Sequence, residues 1–340
     1  MNTKIRWGLI GAGGIARDFA AALATAHRSV LVAVGSRSQE SADAFAANFP
    51  GCRAHASADA VLADPSVDAV YIATPHPTHA DWTIRAARAG KHVLCEKPFA
   101  MNAAEAERVF AAVSGSGVSV IEAFKDRFHP LTGRVIAEMP KIGEVRLIEA
   151  SFSFRASYDP QARLFNPELG GGAILDVGCY VVNFARRIAG VTVGKSFADP
   201  VEFSGVAEFA DTGTDGCAIG AMRFANGVLA KVSCGVTVAQ EVCARIHGTE
   251  GWIHLPYPWT RFPAGTASAM LRRADGSEEK IEVTTDRHVF ALEADALAET
   301  AAEGHAECPA MTWADTLSNM RALDRWRAAI GLRYPIDEMA

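Results

Sequence analysis

The chain has 340 residues, of which 49% are hydrophobic and 21% charged, with 33 Lys and Arg against 39 Asp and Glu. That length exceeds one comfortable core and predicts two domains in a soluble globular protein. The mild acidic excess, with no basic stripe, argues against nucleic acid as a partner, and no unbroken apolar run reaches the about eighteen residues of a membrane span.

The first third alternates strand and helix. Strands are predicted at 5–10, 30–35, 69–74, 92–96 and 118–124, separated by Ala-rich helices at 14–26, 40–48, 78–89 and 103–113. Asn102 suits a helix N-cap with Glu105 as its capping-box partner, and Gly90 suits a helix end. Apolar strands spaced by such helices predict βαβ units and a doubly wound parallel sheet over residues 1–124. From 125 to 340 the pattern changes to an α+β domain. Helical periodicity covers 129–138 and 173–189, and strands then follow in succession. The segment 228–236 sets Val228, Ala230, Val232, Cys234 and Val236 on one face and Lys231 and Ser233 on the other, and Asn226-Gly227 joins it to 217–224 as a two-residue hairpin signal. A largely antiparallel open sheet is expected, one face under helices and the other against a second copy of the chain, as a homodimer or homotetramer. Helices close the chain at 290–304 and 312–331, able to pack back on the first domain. The seven cysteines are odd in number and never spaced as CxxC, which predicts reduced thiols rather than disulfides or a zinc site. With a strand beginning at Ile5 there is no room for a signal peptide, and a cytoplasmic protein is expected.

GLIGAGGIARDFA carries Gly11, Gly13 and Ala16 in G-x-G-x-x-A spacing, after a strand and opening a helix, with Gly14 and Ile15 at the helix start. The first glycine permits the turn, the second admits a pyrophosphate to the backbone, and the helix N-terminus faces the phosphates, so a dinucleotide is the expected ligand. An NAD site usually ends its second strand with Asp or Glu to accept the ribose hydroxyl. Here Ser36 and Arg37 stand there, which suit a 2′-phosphate and favour NADP over NAD.

The strand HVLCE runs without a break into Glu96, Lys97 and Pro98. Lys97 therefore sits at the carboxyl end of a parallel strand, where doubly wound sheets bind ligands, and Pro98 forces the chain out of the sheet. A cis Lys97–Pro98 bond would aim the lysine inward, although cis is the minor form. In LGGGAILDVGCYVVNFARRIAG three glycines precede a helix on which Asp176 and Tyr180 are spaced i and i+4, beside an apolar stripe of Ile174, Val177, Val181, Phe184 and Ile188. On spacing alone that pair reads equally well as chemistry or as an acid near a helix start and a tyrosine reaching water.

GAGGIA, TPHPTH (74–79), AGKHVLCEKP (89–98), EAFKDRFHP (122–130), GGGAILDVGCY (170–180) and GLRYPIDE (331–338) together resemble the Gfo/Idh/MocA oxidoreductases, nearly end to end. Tyr180, where inositol dehydrogenases carry histidine, is similar to the dihydrodiol and sugar dehydrogenase branch. The resemblance implies an N-terminal Rossmann domain and Lys97, Asp176 and Tyr180 as the catalytic set. It also implies cofactor contacts from Glu96, from the loop of Thr74, Pro75, His76 and His79, and from Ser36 and Arg37. His76 departs from a common asparagine, and Lys125-Asp126 from common aromatic or apolar residues. A free tyrosine titrates near pH 10. A lysine ammonium about 4 Å away, at an effective dielectric near 20, is worth roughly 4 kcal/mol and could bring Tyr180 near neutrality. Asp176 would orient the substrate hydroxyl or keep Lys97 charged.

His79 can cap its helix or meet the nicotinamide ribose; Arg127 and His129 can line a cleft or bridge the surface; His288 and Phe290 can form a substrate wall. His247, His254 and His305 lack metal-ligand partners in sequence, and without HExxH, G-x-S-x-G or a Cys/His cluster no metal site is expected. The expected activity is hydride transfer between NADP and a secondary alcohol or hemiacetal of a sugar, cyclic polyol or dihydrodiol. The alternatives are a non-catalytic NADP-binding regulator and an NAD-dependent glycosidase.

Overall fold

A computed structural model describes residues 4–338. The chain begins with β1 (Ile5–Ile10), α1 (Gly14–Ala22), β2 (Ser29–Gly35), α2 (Gln39–Ala46), β3 (Arg53–His55), α3 (Ala58–Ala63), β4 (Ala69–Ile72), α4 (His79–Arg88), β5 (His92–Glu96), α5 (Ala103–Val113) and β6 (Val120–Ala123). The six strands form one parallel sheet in the order β3-β2-β1-β4-β5-β6. All of β4 and nearly all of β5 is buried, because helices cover both faces. Strand order reverses beside β1, the switch point where doubly wound sheets open a crevice at their carboxyl ends. β3 has only three residues, too few for periodicity to reveal. Ser38, Ser57 and Asn102 cap α2, α3 and α5 with their side chains. Asn102 accepts from the Glu105 amide as expected, but Glu105 reaches back to the Met101 amide, one residue before the cap.

After α6 (Lys125–Phe128) and α7 (Pro130–Glu138) comes β7 (Val145–Ser153). A π-helical turn, Ile174–Gly178, then leads directly into α8 (Cys179–Val191). The strands β8 (Pro200–Phe209), β9 (Asp215–Phe224), β10 (Leu229–Gly235), β11 (Cys243–Gly248), β12 (Gly251–Pro256), β13 (Gly265–Arg273) and β14 (Glu278–Thr285) join β7 in an eight-stranded sheet, order β14-β13-β12-β11-β7-β10-β9-β8. The α/β class with a largely antiparallel second sheet is found, with one exception to the meander: β7 and β10 pair in parallel at the centre. The β9–β10 turn is also not the two-residue type. Gly227 alone takes positive φ (83°), and the Gly227 amide donates to Phe224 O while the Phe224 amide donates to Val228 O, a three-residue loop ending in a left-handed glycine.

One face of this sheet lies under α8 and the closing helix, with Trp326 against Phe203. The opposite face presents Val206, Ile219 and Leu229 at 67%, 55% and 48% exposure from adjacent strands, with Val206 and Ile219 directly paired. The closing helices α9 (Val289–Ala302) and α10 (Trp313–Ile330) pack on the first sheet's domain as well. Asp295 accepts from the His27 and Arg28 amides at 2.8 and 2.9 Å, and Trp313 stacks on Phe110 at 5.1 Å. Among the described residues no helix is long and apolar enough to cross a membrane.

Candidate active site

At the carboxyl ends of β1, β4 and β5 a cleft of about 800 Å³ opens between the two sheets. Its floor begins at the glycine turn. Gly11 holds φ 104°, and a Cβ there would lie 2.8 Å from Ala73 O, so only glycine lets β1 turn this close to the end of β4. Gly13 is the N-cap of α1 without a side-chain bond, and space beside Gly13 and Gly14 is open, leaving the first amides of the helix facing the cleft. Those features fit a dinucleotide pyrophosphate. Gly13, Gly14, Ile15, Thr74, Pro75, His76, His79 and Glu96 all line the cleft. Ser36 and Arg37 do not; they lie just after β2, where Arg37 is exposed and makes no ion pair among the described residues.

Lys97, Asp176 and Tyr180 meet although 79 and 83 residues separate the lysine from the other two. The Lys97–Pro98 bond is cis. Lys97 Nζ donates to the Asp176 main-chain oxygen at 2.7 Å and lies 3.6 Å from Asp176 Oδ1; Arg163 Nη1 reaches the same oxygen at 3.1 Å. Burial works against the charge on Asp176, but Lys97 and then Arg163 overcome it and hold the carboxyl at about 2. Burial likewise opposes the Lys97 ammonium, yet Asp176, with Cys179 and Glu96 behind it, leaves the pKa above its usual value. At neutral pH both are charged.

The π-helical turn carries Asp176 and α8 carries Tyr180, so the pair are not successive turns of one regular helix, yet both face the cleft. The preceding loop is held from two sides. Gly172 sits at φ 112°, where a Cβ would lie 2.1 Å from Asp215 Oδ1, and the same carboxyl accepts from the Ile174 amide at 2.6 Å. Tyr334, in the closing GLRYPIDE, donates to Gly171 O.

Tyr180 corrects the electrostatic expectation. Burial, ahead of the Glu96 carboxylate, pushes the phenol well above its usual range rather than toward neutrality. Lys97 Nζ is 5.2 Å from the ring centre, whereas Lys125 Nζ, at 4.0 Å, donates to the hydroxyl itself. Phe124 meets the ring edge-on at 5.3 Å, with Phe152 at 5.6 Å and Trp259 at 6.4 Å. Phe152, Phe154, Val242, Tyr257 and Trp259 form the second domain's wall, an apolar surface suited to a ring face.

Other residues fall differently from expectation. His79 holds its two ring nitrogens 2.8 and 2.9 Å from the Pro98 and Thr74 carbonyl oxygens, a neutral ring donating to one of them, and is not a cap. His76 Nδ1 lies 3.1 Å from Gly170 O, tying the two loops together; burial pushes both imidazoles down. Glu96 accepts from the Tyr71 hydroxyl and from the Lys97 amide, so the strand end is fixed from inside the core. Arg127 is a buried bridge to Ala310 O, Asn183 and Asp315, and His129 caps α7. His288 caps α9 and Phe290 packs in the core near Phe19, neither on the cleft wall. His254 does have neighbours, Glu241 and Cys243, with potential ligand atoms within 4.8 Å. There Arg245 already holds Glu241 at 3.0 Å and burial raises the thiol, which disfavours the thiolate a metal needs. Arg163 and the aromatic wall escaped sequence reasoning because they carry no motif, Arg163, Phe154, Tyr257 and Trp259 lying outside the strands and Phe152 at the end of β7.

The chain matches two family descriptions: an oxidoreductase family with an NAD-binding Rossmann fold over residues 5–124, and the GFO/IDH/MocA C-terminal domain over residues 134–254. It belongs to the Gfo/Idh/MocA oxidoreductase family. Within that family it is 30% identical to the trans-1,2-dihydrobenzene-1,2-diol dehydrogenase of Mus musculus, over 98% of this chain and 99% of that protein. It is 32% identical to a D-xylose 1-dehydrogenase (NADP(+)) of Haloferax volcanii, over 94% and 95%. A 3-ketoreductase from Actinomadura kijaniata, solved with NADP and TDP-benzene, superposes with a TM-score of 0.84 at 30% identity, covering 96% of this chain and 98% of that one.

Proposed function

We propose that this Gfo/Idh/MocA protein interconverts a secondary alcohol or hemiacetal of a sugar, cyclic polyol or dihydrodiol with its carbonyl form, using NADP. The observation that carries the reading is the meeting of Lys97, Asp176 and Tyr180 in the cleft that begins at the glycine turn. When bound, NADP supplies the hydride chemistry; the chain must orient the substrate and manage one proton. Gly11, Gly13, Gly14 and Ile15 would hold the pyrophosphate, Ser36 and Arg37 the 2′-phosphate, and Thr74, Pro75, His76, His79 and Glu96 would shape the nicotinamide end. Tyr180, a neutral phenol at rest, serves as the acid–base group on the reacting oxygen. The charged Lys97–Asp176–Arg163 trio places a fixed positive charge beside that oxygen, where an alkoxide develops. The aromatic wall of Phe152 and Trp259 excludes water from the ring face.

The domain division is taken at 124 and 125, where the chain leaves β6. A second copy is the natural cover for Val206, Ile219 and Leu229, giving a homodimer or homotetramer through the open sheet. All seven cysteines are free thiols, which suits the reducing cytoplasm. The test is a screen for NADP⁺ reduction across pentoses, hexoses, inositols and trans-diols, repeated with NAD⁺. Turnover with at least one class, faster with NADP⁺, is expected. Tight NADP binding without turnover on any of them would overturn the enzymatic reading in favour of a regulator.

A further inference from the structure

Lys125 lines the cleft and the catalytic set leaves it unused. It opens α6 and is buried, with its ammonium nitrogen on the Tyr180 hydroxyl. Among the described residues it has no carboxylate at ion-pair distance. The charged and titratable groups facing it come from every side: Glu96 in β5 and Lys97 just after it, Asp126 in its own helix, Tyr180 in α8 and Glu293 in α9. Glu96 is already committed to Tyr71 and the Lys97 amide. Glu293 is fully buried, and neither of its oxygens has a hydrogen-bond partner among the described residues. Asp126 Oδ1 is similarly unpartnered. A buried amine touching a buried phenol, with carboxyls near but not paired, can change its own charge where a salt-bridged lysine cannot.

We propose that Lys125 exchanges the proton of Tyr180, while Lys97 stays permanently charged on Asp176, so two lysines divide the work around one phenol. The inference rests on the acid–base reading of Tyr180 above. In the oxidative direction the substrate O–H breaks and its proton passes to the Tyr180 oxygen. The original phenol proton passes to the Lys125 amine, which becomes an ammonium. The substrate carbon loses its hydrogen with both electrons to the oxidised nicotinamide, leaving a carbonyl. The ammonium then returns its proton to water in the open cleft after product leaves, and reduction runs the same path backwards. Burial first, then the Lys97 ammonium, pull Lys125 down to about 8, so an appreciable neutral fraction exists at working pH. Lys125 is thus a positioning residue, acting through Tyr180.

The experiment compares kcat–pH profiles for alcohol oxidation in the wild type, Lys125→Met, Lys125→Ala and Tyr180→Phe. The wild type should rise to a plateau through an inflection near 8. Lys125→Met should fall about 10²-fold near neutrality, and its inflection should move toward the phenol's own high value. Added methylamine should restore Lys125→Ala but not Lys125→Met, whose side chain fills the space. In the proteins without cofactor, the phenolate absorbance lost in Tyr180→Phe should titrate at a different pH once Lys125 is gone. A uniform drop with an unmoved profile and no amine rescue, or a raised KM alone, would overturn the role of Lys125. If Tyr180→Phe retains turnover, the acid–base reading itself has failed, a separate result.

Discussion

Lys97→Met separates the two claims made for the lysine, as a catalyst and as the counter-charge of a buried acid. Its Nζ lies 3.6 Å from Asp176 Oδ1, and at an effective dielectric near 20 that attraction is worth about 5 kcal/mol. Desolvation opposes it. The carboxyl is held at about 2 rather than 3.8, a net advantage of about 2–3 kcal/mol shared between Lys97 and Arg163. Because Arg163 remains at 3.1 Å, the substitution should cost about 1–2 kcal/mol at neutral pH. The sign follows from the depressed acid. The Asp176 contribution is complete above its unfolded pKa near 4 and is lost as pH falls toward 2. With Lys97 gone the Asp176 pKa moves up toward its unfolded value, so the acid-dependent loss becomes smaller and is complete at a higher pH. Denaturant midpoints from pH 7 down to pH 3 measure this, alongside kcat and the affinity for NADPH by fluorescence. We expect near-normal NADPH binding, turnover reduced by 10²-fold or more, and a shallower acid decline. Wild-type turnover would refute the catalytic assignment, and superimposable acid limbs would refute the electrostatic one.

Arg37→Ala should raise the KM for NADP⁺ by about 10–100-fold, the loss of one charge-assisted contact, with the KM for NAD⁺ nearly unchanged in the same assay. Lys125 is held at about 8, below its unfolded value, so the unfolded chain binds the extra proton between about 8 and 10.5. Wild-type stability should therefore rise relative to Lys125→Met across that interval in pH-dependent melts, and a flat difference would contradict the assignment. Asp315→Asn strips the carboxylate that Arg127 and Arg186 share at under 2% exposure, and unfolding titrations should show a loss of about 3–5 kcal/mol.

Sequence periodicity missed β3, Arg53-Ala54-His55, and located the other five strands of the first sheet because each of those is an apolar run flanked by helices. Its dinucleotide turn was legible because glycine spacing reports backbone geometry directly. The second sheet was less so. β7, the central strand, pairs in parallel with β10 from 82 residues further on, and no local pattern encodes a partner that distant. That Lys97, Asp176 and Tyr180 would line one cleft was legible from motif and position. The identity of the group on the phenol was not, since a lysine after β6 says nothing of where its ammonium will lie once α8 packs against it. The expected fall in the phenol's pKa failed for a related reason. Pairwise attraction can be guessed from a spacing, but the burial that outweighs it is a property of the assembled fold.

The bonds from Asp295 to the His27 and Arg28 amides span 268 and 267 residues, and Trp313 meets Phe110 across a comparable gap. During synthesis the nucleotide-binding half must therefore leave the ribosome with its α1–β2 junction uncapped and an aromatic face bare, and wait for the final fifty residues to arrive. The first domain therefore completes its packing only once α9 and α10 have folded against it, so a product cut short of α9 should expose that aromatic face and be held by chaperones.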